Sequence, residues 1–468
     1  ELQQGRAEQL SLFEQVGSVI RRVDFGEAGS GSETNEERQA FTARDQQRAL
    51  TQDLMERVVL PSNLNAAYRR VRANKGSGGI DGMSLEELSP WLSTHKGQLI
   101  EQLITGTYTP RQIRGVQIPK PTGGVRQLGI PTVVDRLVQQ AILQVLEPIL
   151  DSTFSPASHG FRPRRSAHTA LKQAQAHVAA GHTIVVDMDL EKFFDRVNHD
   201  VLMSRLSRWV GDNRLLRIIR RFLEAGMLQD GVKIRRAEGT PQGGPLSPLL
   251  ANLLLDDLDK ELERRGHRFC RYADDCNIYV RSKQAGERVM QSITRFLETK
   301  LRLRVNQTKS AVAHVQKRKF LGYRLLQEGA LGIAPASLER VKDRIRQITR
   351  RNRGVSMESV IRELNEYLTG WVTYFRLARC RSHLRQLDSW LRRKVRCYRL
   401  KQRKRAKPIA DFLMEQGVPE WRSWLLSLSG KGWWRMAGSP QANEAMSTQW
   451  FQKVGLVNLT SRYLLLNR

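Results

Sequence analysis

The sequence predicts a mixed α+β fold, because strand-like segments, a hairpin pattern and segments of helical periodicity occur along the same chain. Residues 183–190 and 268–280 read as strands, because they are rich in β-branched and aromatic side chains and the second has a tight turn at its centre. Residues 113–131 alternate as a hairpin does. Residues 284–301 have the spacing of an amphipathic helix, and 338–400 show helical periodicity without strand-like alternation. Strands and helices are therefore mixed before a helical C-terminal region.

Capping and turn signals place further elements in chain order. Ser84 with Glu87 forms the pattern of a capping box at the start of a helix. Residues 133–150 and 199–225 have helical periodicity. Ser247 followed by proline predicts an N-cap and a proline at the first helical position.

The charge of the chain indicates a polyanionic partner. The 468 residues include 77 Lys+Arg and 47 Asp+Glu, a formal net charge of +30. Residues 340–410 alone hold 22 basic and 5 acidic side chains, whereas residues 1–50 hold 6 and 9. A cationic surface favours nucleic acid most often and an anionic membrane less often. We therefore expect the chain to bind nucleic acid.

Other classes of protein are disfavoured by composition. No apolar run reaches the ~20 residues that cross a bilayer, and residues 1–10 lack the apolar segment of a signal peptide. The four cysteines do not form a disulfide framework, and none has CxxC spacing. We expect a protein of the reducing cytoplasm with no membrane partner.

Two acidic clusters in strand contexts are the sharpest feature. Asp187 and Asp189 end one predicted strand, and Asp274 and Asp275 occupy the turn of the predicted hairpin. Carboxylates there cost free energy unless they are paired or hold a metal, and adjacent aspartates repel, so that one tends to keep a proton. Asp oxygens suit Mg²⁺, and three aspartates around two metals suit phosphoryl transfer. The plainer alternatives are that Asp-Asp is only a turn signal and that a single aspartate only ends a strand.

The motif YADD (272–275), with DLEKFFD (189–195), resembles the palm of a reverse transcriptase. Further blocks narrow the resemblance to the bacterial group II intron-encoded reverse transcriptase/maturase family, over roughly residues 55–460. They are GIDGMSLEEL (79–88), IPKPTGGVRQLGIPTVVDRLVQQAI (118–142), SHGFRPRRSAHTAL (158–171), GTPQGGPLSPLLANLLLDDLD (239–259), FLGY (320–323) and LNEYLTGWVTYFRLA (364–378). Without CxxC pairs, the chain resembles the members that lack an endonuclease.

The resemblance implies a right-hand polymerase followed by an all-helical thumb, the maturase domain X, and a small basic C-terminal region. The implied parts are 1–52 (polar N-terminal tail), 53–182 (N-terminal extension and fingers), 183–335 (palm with catalytic aspartates), 336–405 (helical thumb/maturase domain X) and 406–468 (C-terminal DNA/RNA-binding region).

The resemblance also selects the catalytic carboxylates. The Phe-Phe-Asp that follows sets the register, so Asp189 rather than Asp187 takes the catalytic position. Asp189, Asp274 and Asp275 would then hold two Mg²⁺ ions, with Mn²⁺ as the alternative ion. Asp187 becomes a supporting or structural residue.

Five residues are expected to bind the dNTP. By resemblance, Arg114 and Lys120 clamp the triphosphate with Arg126 beside them, although solvated hairpin charges are the plainer reading. Phe194 would exclude a ribose 2′-OH, but one of the pair Phe193 and Phe194 should face the core. Gln242 would lie against the nucleotide and the template base.

The remaining candidates are nucleic-acid contacts from the fingers, palm and thumb: Arg162, Arg165, Asn306, Lys309, Arg344, Arg351, Arg393 and Lys394. FLGY resembles a primer-grip hairpin but equally suits palm–thumb packing. The basic stretch 392–407 suits a solvated helix face, a nonspecific patch or an intron-RNA contact.

The implied function is RNA-directed DNA polymerisation with assistance to splicing and mobility. The implied partners are an RNA template, group II intron RNA, a DNA primer or target, and dNTPs, in a monomer or a dimer. The alternatives are a domesticated reverse transcriptase in DNA repair or defence, and a splicing factor without enzymatic activity, which intact aspartates disfavour.

Overall fold

The computed structural model describes residues 51–119, 124–229, 232–234, 238–240 and 243–468. All but the last two residues of the predicted N-terminal tail lie outside these ranges. The described chain forms two compact units. The first comprises the described residues up to Gln173 and from His182 to Ala313, and the second comprises Ala174–Gly181 and His314–Arg468. This division lies inside the segment assigned to the palm, and the five-part division stays a prediction.

The first unit is mixed α+β, as the sequence predicts. Its helices are α1 (Leu54–Val59), α2 (Pro61–Ala73), α3 (Leu88–Ile104), α4 (Val133–Asp151), α5 (Ala167–Ala179, whose end belongs to the second unit), α6 (His199–Leu206), α7 (Asn213–Glu224), α8 (Ser247–Arg264) and α9 (Lys283–Phe296). Its strands are β1 (Ile113–Pro119), β2 (Val125–Ile130), β3 (Ile184–Met188), β4 (Met227–Gln229), β5 (Val232–Ile234), β6 (Arg268–Tyr272), β7 (Asp275–Val280) and β8 (Ala311–His314).

These strands form two four-stranded sheets. One has the order β2-β1-β4-β5, with β1 antiparallel to β2 and parallel to β4. The other has the order β6-β7-β3-β8, in which β7 is antiparallel to β6 and to β3. The predicted hairpins at 113–131 and 268–280 are confirmed. The second sheet brings the end of β3 beside the turn between β6 and β7.

The ends of three helices test the capping signals in the sequence. The Ser84 and Glu87 side chains and backbone amides bond reciprocally, which confirms the capping box, and α3 begins at the next residue. The helical interpretation of 199–225 is confirmed except for a break, because the segment forms two helices, α6 and α7. The Asp212 carboxylate accepts from the amides of Arg214 and Leu215, and so caps a separate helix α7. Ser247 is not an N-cap but the first residue of α8.

The core of the first unit is built around α8. Leu254 and Leu255 of this helix are fully buried with Leu137 of α4 and Ile278 of β7. Burial of such side chains contributes about 1.5–3 kcal/mol each. The helix therefore gives the acidic hairpin a rigid base.

The second unit is mainly helical. A two-stranded sheet, β9 (Tyr323–Leu325) and β10 (Leu331–Ile333), precedes the helices. These are α10 (Pro335–Ile348), α11 (Met357–Tyr374), α12 (Arg381–Arg403), α13 (Ala406–Glu415), α14 (Glu420–Ser427), α15 (Trp433–Met436), α16 (Pro440–Ala445), α17 (Thr448–Lys453) and α18 (Leu459–Leu466). Val341, Ile345 and Ile348 form an apolar stripe on α10 and are buried. Within the described ranges, no helix has the length and apolarity to span a membrane.

Candidate active site

The YADD motif forms a two-residue turn. Tyr272 pairs with Asp275 across the hairpin, which leaves Ala273 and Asp274 at its tip. Ala273 has a φ of 57°, a left-handed conformation that non-glycine residues rarely adopt. Gly160 lies against this turn, because a Cβ added there would stand 2.3 Å from the Ala273 nitrogen. The block SHGF thus supports the tip of the hairpin.

A fully buried arginine holds the same turn from behind. The Arg271 guanidinium donates to both carboxylate oxygens of Asp259, at 2.8 and 2.6 Å. It also donates to the Asn252 side chain at 3.0 Å, the Ala273 carbonyl at 2.8 Å and the Ser158 hydroxyl at 2.8 Å. All five of its donors are satisfied. Arg271 therefore ties the strained tip to helix α8.

Asp189 lies one residue beyond β3, next to the turn. Met188 pairs with Cys276, the second residue after Asp274. The Asp189 amide donates to the Ser310 hydroxyl at 3.0 Å, and its carbonyl accepts from the Asn306 amide at 2.8 Å. Its carboxylate is 41% exposed and lies 3.8 Å from the Lys309 ammonium. The backbone of Asp189 is thus fixed while its side chain stays accessible.

Electrostatics connect Asp189 with Asp274. Burial raises the pKa of the Asp274 carboxyl, and the negative charge of Asp189 raises it further, while the positive charge of Arg126 lowers it. Burial raises the pKa of the neighbouring Cys270 thiol, and the charge of Asp275 raises it further. The register of β3 with β7 places Asp189 beside the turn that carries Asp274.

The acidic residues of the hairpin and of β3 fit Mg²⁺ in part. Within the ranges described, no three His, Cys, Asp or Glu side chains are grouped closely enough to hold a metal ion. Asp189 and Asp274 nevertheless offer neighbouring carboxylate oxygens, the donors that Mg²⁺ prefers. Burial makes ionisation of the Asp274 carboxyl unfavourable, and a bound cation would offset that free-energy cost. This pair is therefore the part of the predicted metal set whose chemistry fits.

The hairpin of β1 and β2 carries two of the cations predicted to bind the dNTP. Arg114 pairs with Ile130 and Ile118 with Arg126, so the register places Arg114 and Arg126 on one face. Both side chains are exposed. The positive charge of Arg126 lowers the pKa of the Asp274 carboxyl. Lys120 lies outside the described residues.

The aromatic pair after Asp189 divides as the sequence suggests. Phe193 is 3% exposed and belongs to the core, whereas Phe194 is half-buried and contacts it edge-on, with ring centroids 5.1 Å apart. The Phe194 carbonyl accepts from the Thr240 amide at 2.6 Å, which docks the start of the GTPQGG loop. Gln242, in the same loop, lies outside the described residues.

The geometry of Arg162 argues against its predicted phosphate contact. Its side chain is 5% exposed and bonds to Asp151 and to the carbonyls of Ser155 and Ser158. Arg165 donates to the Pro156 carbonyl at 2.6 Å and stays half-exposed. The more accessible neighbour is Phe161, an aromatic residue 54% exposed that sequence reasoning passed over.

The Asn306 side chain has an internal role. Its oxygen accepts from the Thr308 hydroxyl at 2.8 Å and from the Thr308 and Lys309 amides, which shapes the turn that holds Asp189. Its predicted contact with nucleic acid, like that of Lys309, stays a prediction.

The thumb candidates lie in the second unit. Arg344 bonds to Glu363 at 3.0 Å. Arg351 is exposed, and Lys394 is half-buried. The Arg393 guanidinium lies 4.2 Å from the centre of the Trp434 ring and donates to the Trp434 carbonyl at 3.0 Å.

The FLGY segment is packed against α11. The buried Tyr323 hydroxyl donates to the Tyr374 carbonyl, and the Tyr374 hydroxyl donates to the Leu321 carbonyl at 2.7 Å. Of the two alternatives, this geometry favours packing.

Sequence reasoning missed Arg271 and Ser310. A signal for Arg271 was present, because it is a cation flanked by Cys270 and Tyr272 in a strand that reads as buried. Ser310 gave no signal, since its partner Asp189 is 121 residues away.

Comparisons with known proteins agree with this arrangement. A family model for reverse transcriptase (RNA-dependent DNA polymerase) matches residues 118–325, and a model for the group II intron maturase-specific domain matches 338–416. Protein YkfC of Escherichia coli (strain K12) is 33% identical over 318 residues, which covers 59% of this chain and 84% of YkfC.

Two further relatives carry intron names. The group II intron-encoded protein LtrA of Lactococcus lactis subsp. cremoris is 30% identical over 336 residues, 56% of this chain and 55% of LtrA. A putative COX1/OXI3 intron 1 protein of Saccharomyces cerevisiae is 32% identical over 221 residues, 47% of this chain and 25% of that protein. The chain thus spans about half the length of LtrA and a quarter of the yeast protein.

These matches and the palm-like hairpin define a nucleotidyltransferase of the RNA-directed DNA polymerase class. More narrowly, the chain belongs to the family of group II intron-encoded reverse transcriptases, with a maturase-specific domain after the polymerase domain.

Proposed function

We propose that this chain copies RNA into cDNA at the Asp189–Asp274 pair. The observation that supports this most directly is the pairing of Met188 with Cys276, which places Asp189 at the end of β3 beside the turn that carries Asp274. In the reaction, the primer 3′-hydroxyl oxygen bonds to the α-phosphorus of a dNTP. The bond from that phosphorus to the bridging oxygen breaks, and pyrophosphate leaves.

Each residue has a role in this proposal. Mg²⁺ bound by Asp189 and Asp274, with Asp275 as the third ligand, would neutralise the phosphate charge and lower the pKa of the attacking hydroxyl. Arg114 and Arg126 hold the triphosphate from the hairpin face, with Lys120 and Gln242 as further contacts. Phe194 packs under the sugar and disfavours a 2′-hydroxyl.

We further infer that the second unit binds group II intron RNA and assists splicing and mobility in the bacterial cytoplasm. The support is the maturase-specific match over 338–416 and the excess of basic residues there. Primer and target DNA are the other polyanions that this surface would meet.

Primer extension on an RNA template tests the polymerase proposal. Wild-type protein with a DNA primer, dNTPs and Mg²⁺ is expected to extend the primer, and Asp274→Asn is expected to abolish extension. A folded, RNA-binding wild-type protein that extends no primer would refute the proposal and favour the splicing-factor alternative. A splicing assay with the intron flanking the gene then tests the maturase role.

A further inference from the structure

The second unit contains a pocket with a strongly cationic lining, outside the active site. A cavity of about 460 Å³ opens between the end of α10, the loop that follows it and α12. Its lining includes five cations and one aromatic ring: Arg346, Arg350, Arg351, Lys394, Lys401 and Trp433. No carboxylate is among its lining residues. We refer to it as the cationic pocket.

The charges of the cationic pocket are poorly neutralised by the protein. In the described part of the chain, Arg350, Arg351, Lys394 and Lys401 have no carboxylate within salt-bridge distance, although Arg346 pairs with Asp343 at 2.5 Å. Burial lowers the pKa of the Lys394 ammonium, and the nearby Arg346 and Arg351 charges lower it further. Crowded like charges destabilise the folded unit, so this arrangement favours a polyanionic ligand.

Two arginines near the cationic pocket but outside its lining are paired with a carboxylate. Arg344 and Arg353 both bond to the Glu363 carboxylate, at 3.0 and 2.7 Å. An acidic side chain therefore neutralises these two outer arginines, whereas the pocket cations other than Arg346 are left for another ligand.

An aromatic wall completes the pocket. Trp433 is half-buried, and the Lys401 ammonium lies 5.3 Å from the centre of its ring. The neighbouring Trp434 is held by Arg393, whose guanidinium lies 4.2 Å from the centre of the Trp434 ring and donates to the Trp434 carbonyl at 3.0 Å. The segment that carries Trp433 is thus anchored to α12 rather than free to move away.

We propose that the cationic pocket binds a single-stranded segment of nucleic acid. Phosphate groups contact Arg350, Arg351 and Lys401, and one unpaired base packs against Trp433. A paired base cannot reach an aromatic wall inside a pocket, whereas an unpaired base stacks there readily. The volume lies within the ~300–1,000 Å³ of ordinary ligand pockets. The inference deepens the proposed function, on which it rests for the kind of polymer bound.

Binding of labelled oligonucleotides to the full chain tests this proposal. The probes are a 20-mer of uridine, a 20-mer of thymidine and a blunt 20-base-pair RNA duplex, followed by fluorescence anisotropy. Trp433→Ala is expected to weaken single-strand binding by about 5- to 150-fold, the equivalent of ~1–3 kcal/mol per stacked base. Duplex binding should change less than about twofold, and Trp433→Phe should retain most of the affinity. The two single strands show whether the pocket prefers RNA or DNA.

The contribution of the pocket cations is measured by the salt dependence of binding. Arg351→Gln/Lys401→Gln is expected to reduce the slope of log affinity against log salt by roughly 0.7 for each phosphate group of a single strand that the variant no longer neutralises. Trp433→Ala should leave that slope unchanged. Matched controls are Trp421→Ala, a tryptophan 70% exposed on α14, and Lys283→Gln on α9, both expected to bind like wild type.

The outcomes separate this proposal from the proposed polymerase function. Equal losses of affinity for Trp433→Ala and Trp421→Ala, or equal losses of duplex and single-strand binding, would overturn the pocket. Crosslinking of a 4-thiouridine oligonucleotide to wild-type protein gives a second measurement that requires no variant, and crosslinked peptides without Trp433 or Lys401 would contradict the proposal. Primer extension that fails while the Trp433 effect persists refutes only the polymerase function.

Discussion

Arg271 is the residue on which the geometry of the active site most depends. It is completely buried and bonds to Asp259, Asn252, Ser158 and the Ala273 carbonyl. No other cation in the described palm hairpin makes as many internal contacts. The strained conformation of Ala273 is sustained by these contacts, because an isolated turn would relax.

We predict that Arg271→Lys destabilises the protein by ~1–3 kcal/mol for each buried acceptor left without a donor, since an ammonium keeps the charge but cannot reproduce the five guanidinium hydrogen bonds. Urea unfolding measures the change, with Arg264→Lys, which alters an exposed arginine of α8, as the control. The double variant Arg271→Met/Asp259→Leu should regain much of the stability but no polymerisation, because the turn is no longer anchored. A stability loss no larger than that of the control would contradict this role.

Asp274 links pH, metal and stability. Burial raises the pKa of the Asp274 carboxyl above its ordinary 3.8 in the folded state. The protonated carboxyl is therefore compatible with the fold, and no stability is lost below about pH 3.8. As the pH rises through the raised pKa, the carboxyl ionises in its buried position and the free energy of unfolding falls. Without metal at pH 7, we therefore expect Asp274→Asn to be more stable than wild type, with the difference vanishing as pH falls toward 4.

Added Mg²⁺ should reverse that order. At 100 times its Kd, binding adds about 2.7 kcal/mol to the stability of wild type and little to Asp274→Asn. Thermal unfolding with and without Mg²⁺ measures both effects. Equal stabilisation of the two proteins would show that the ion binds elsewhere.

At the scale of elements, close backbone contacts position the acidic hairpin. Gly160 and the turn between β6 and β7 approach so closely that a methyl group has no room. We predict that Gly160→Ala displaces the turn and lowers the rate of nucleotide incorporation by at least about tenfold, as misplacement by ~1 Å does in active sites.

The matched control is Gly97→Ala in α3, where a Cβ meets nothing within 4 Å. That change should stabilise the helix by roughly 0.5–1 kcal/mol and leave incorporation intact. A Gly160→Ala protein with wild-type incorporation would show that the contact does not position the site.

The elements that could be predicted from sequence are those with local signals. The hairpins follow from alternation around short turns, and the capping box at Ser84 follows from side chains three residues apart. The break within 199–225 was missed, although Asp212 is a capping residue type, because apolar periodicity continues on both sides of it. The support of Asp189 by Ser310 was beyond sequence reasoning, because it joins residues far apart in the chain.

The candidate site was predicted unevenly for the same reason. The resemblance supplied Asp189 and Asp274, and the structure brings them together. The resemblance also supplied Arg162, but its guanidinium is buried and pairs with Asp151. The sequence could not show this, because tertiary packing decides whether the side chain of a motif faces solvent.

At the scale of the whole molecule, charge dominates behaviour. The formal net charge is +30, and residues 340–410 contribute a large share of it. Uncompensated cations attract nucleic acid without regard to sequence, and such binding is released by salt.

We predict that affinity for single-stranded RNA falls by roughly 10³–10⁵ between 50 and 200 mM salt, as for proteins that make about 6–10 phosphate contacts. Anisotropy titrations over this range measure the slope. A slope near zero would contradict an electrostatic surface as the main source of affinity.

The central claim is that Asp189 and Asp274, and not Asp187, carry the polymerase chemistry. Single-turnover incorporation of one dNTP on an RNA template, compared between Asp189→Asn and Asp187→Asn, tests it most directly. We expect Asp189→Asn to slow incorporation by on the order of 10²–10³ or more, the effect of losing one preorganised electrostatic group, while Asp187→Asn stays near wild type. Loss of incorporation in Asp187→Asn with normal rates in Asp189→Asn would contradict the account.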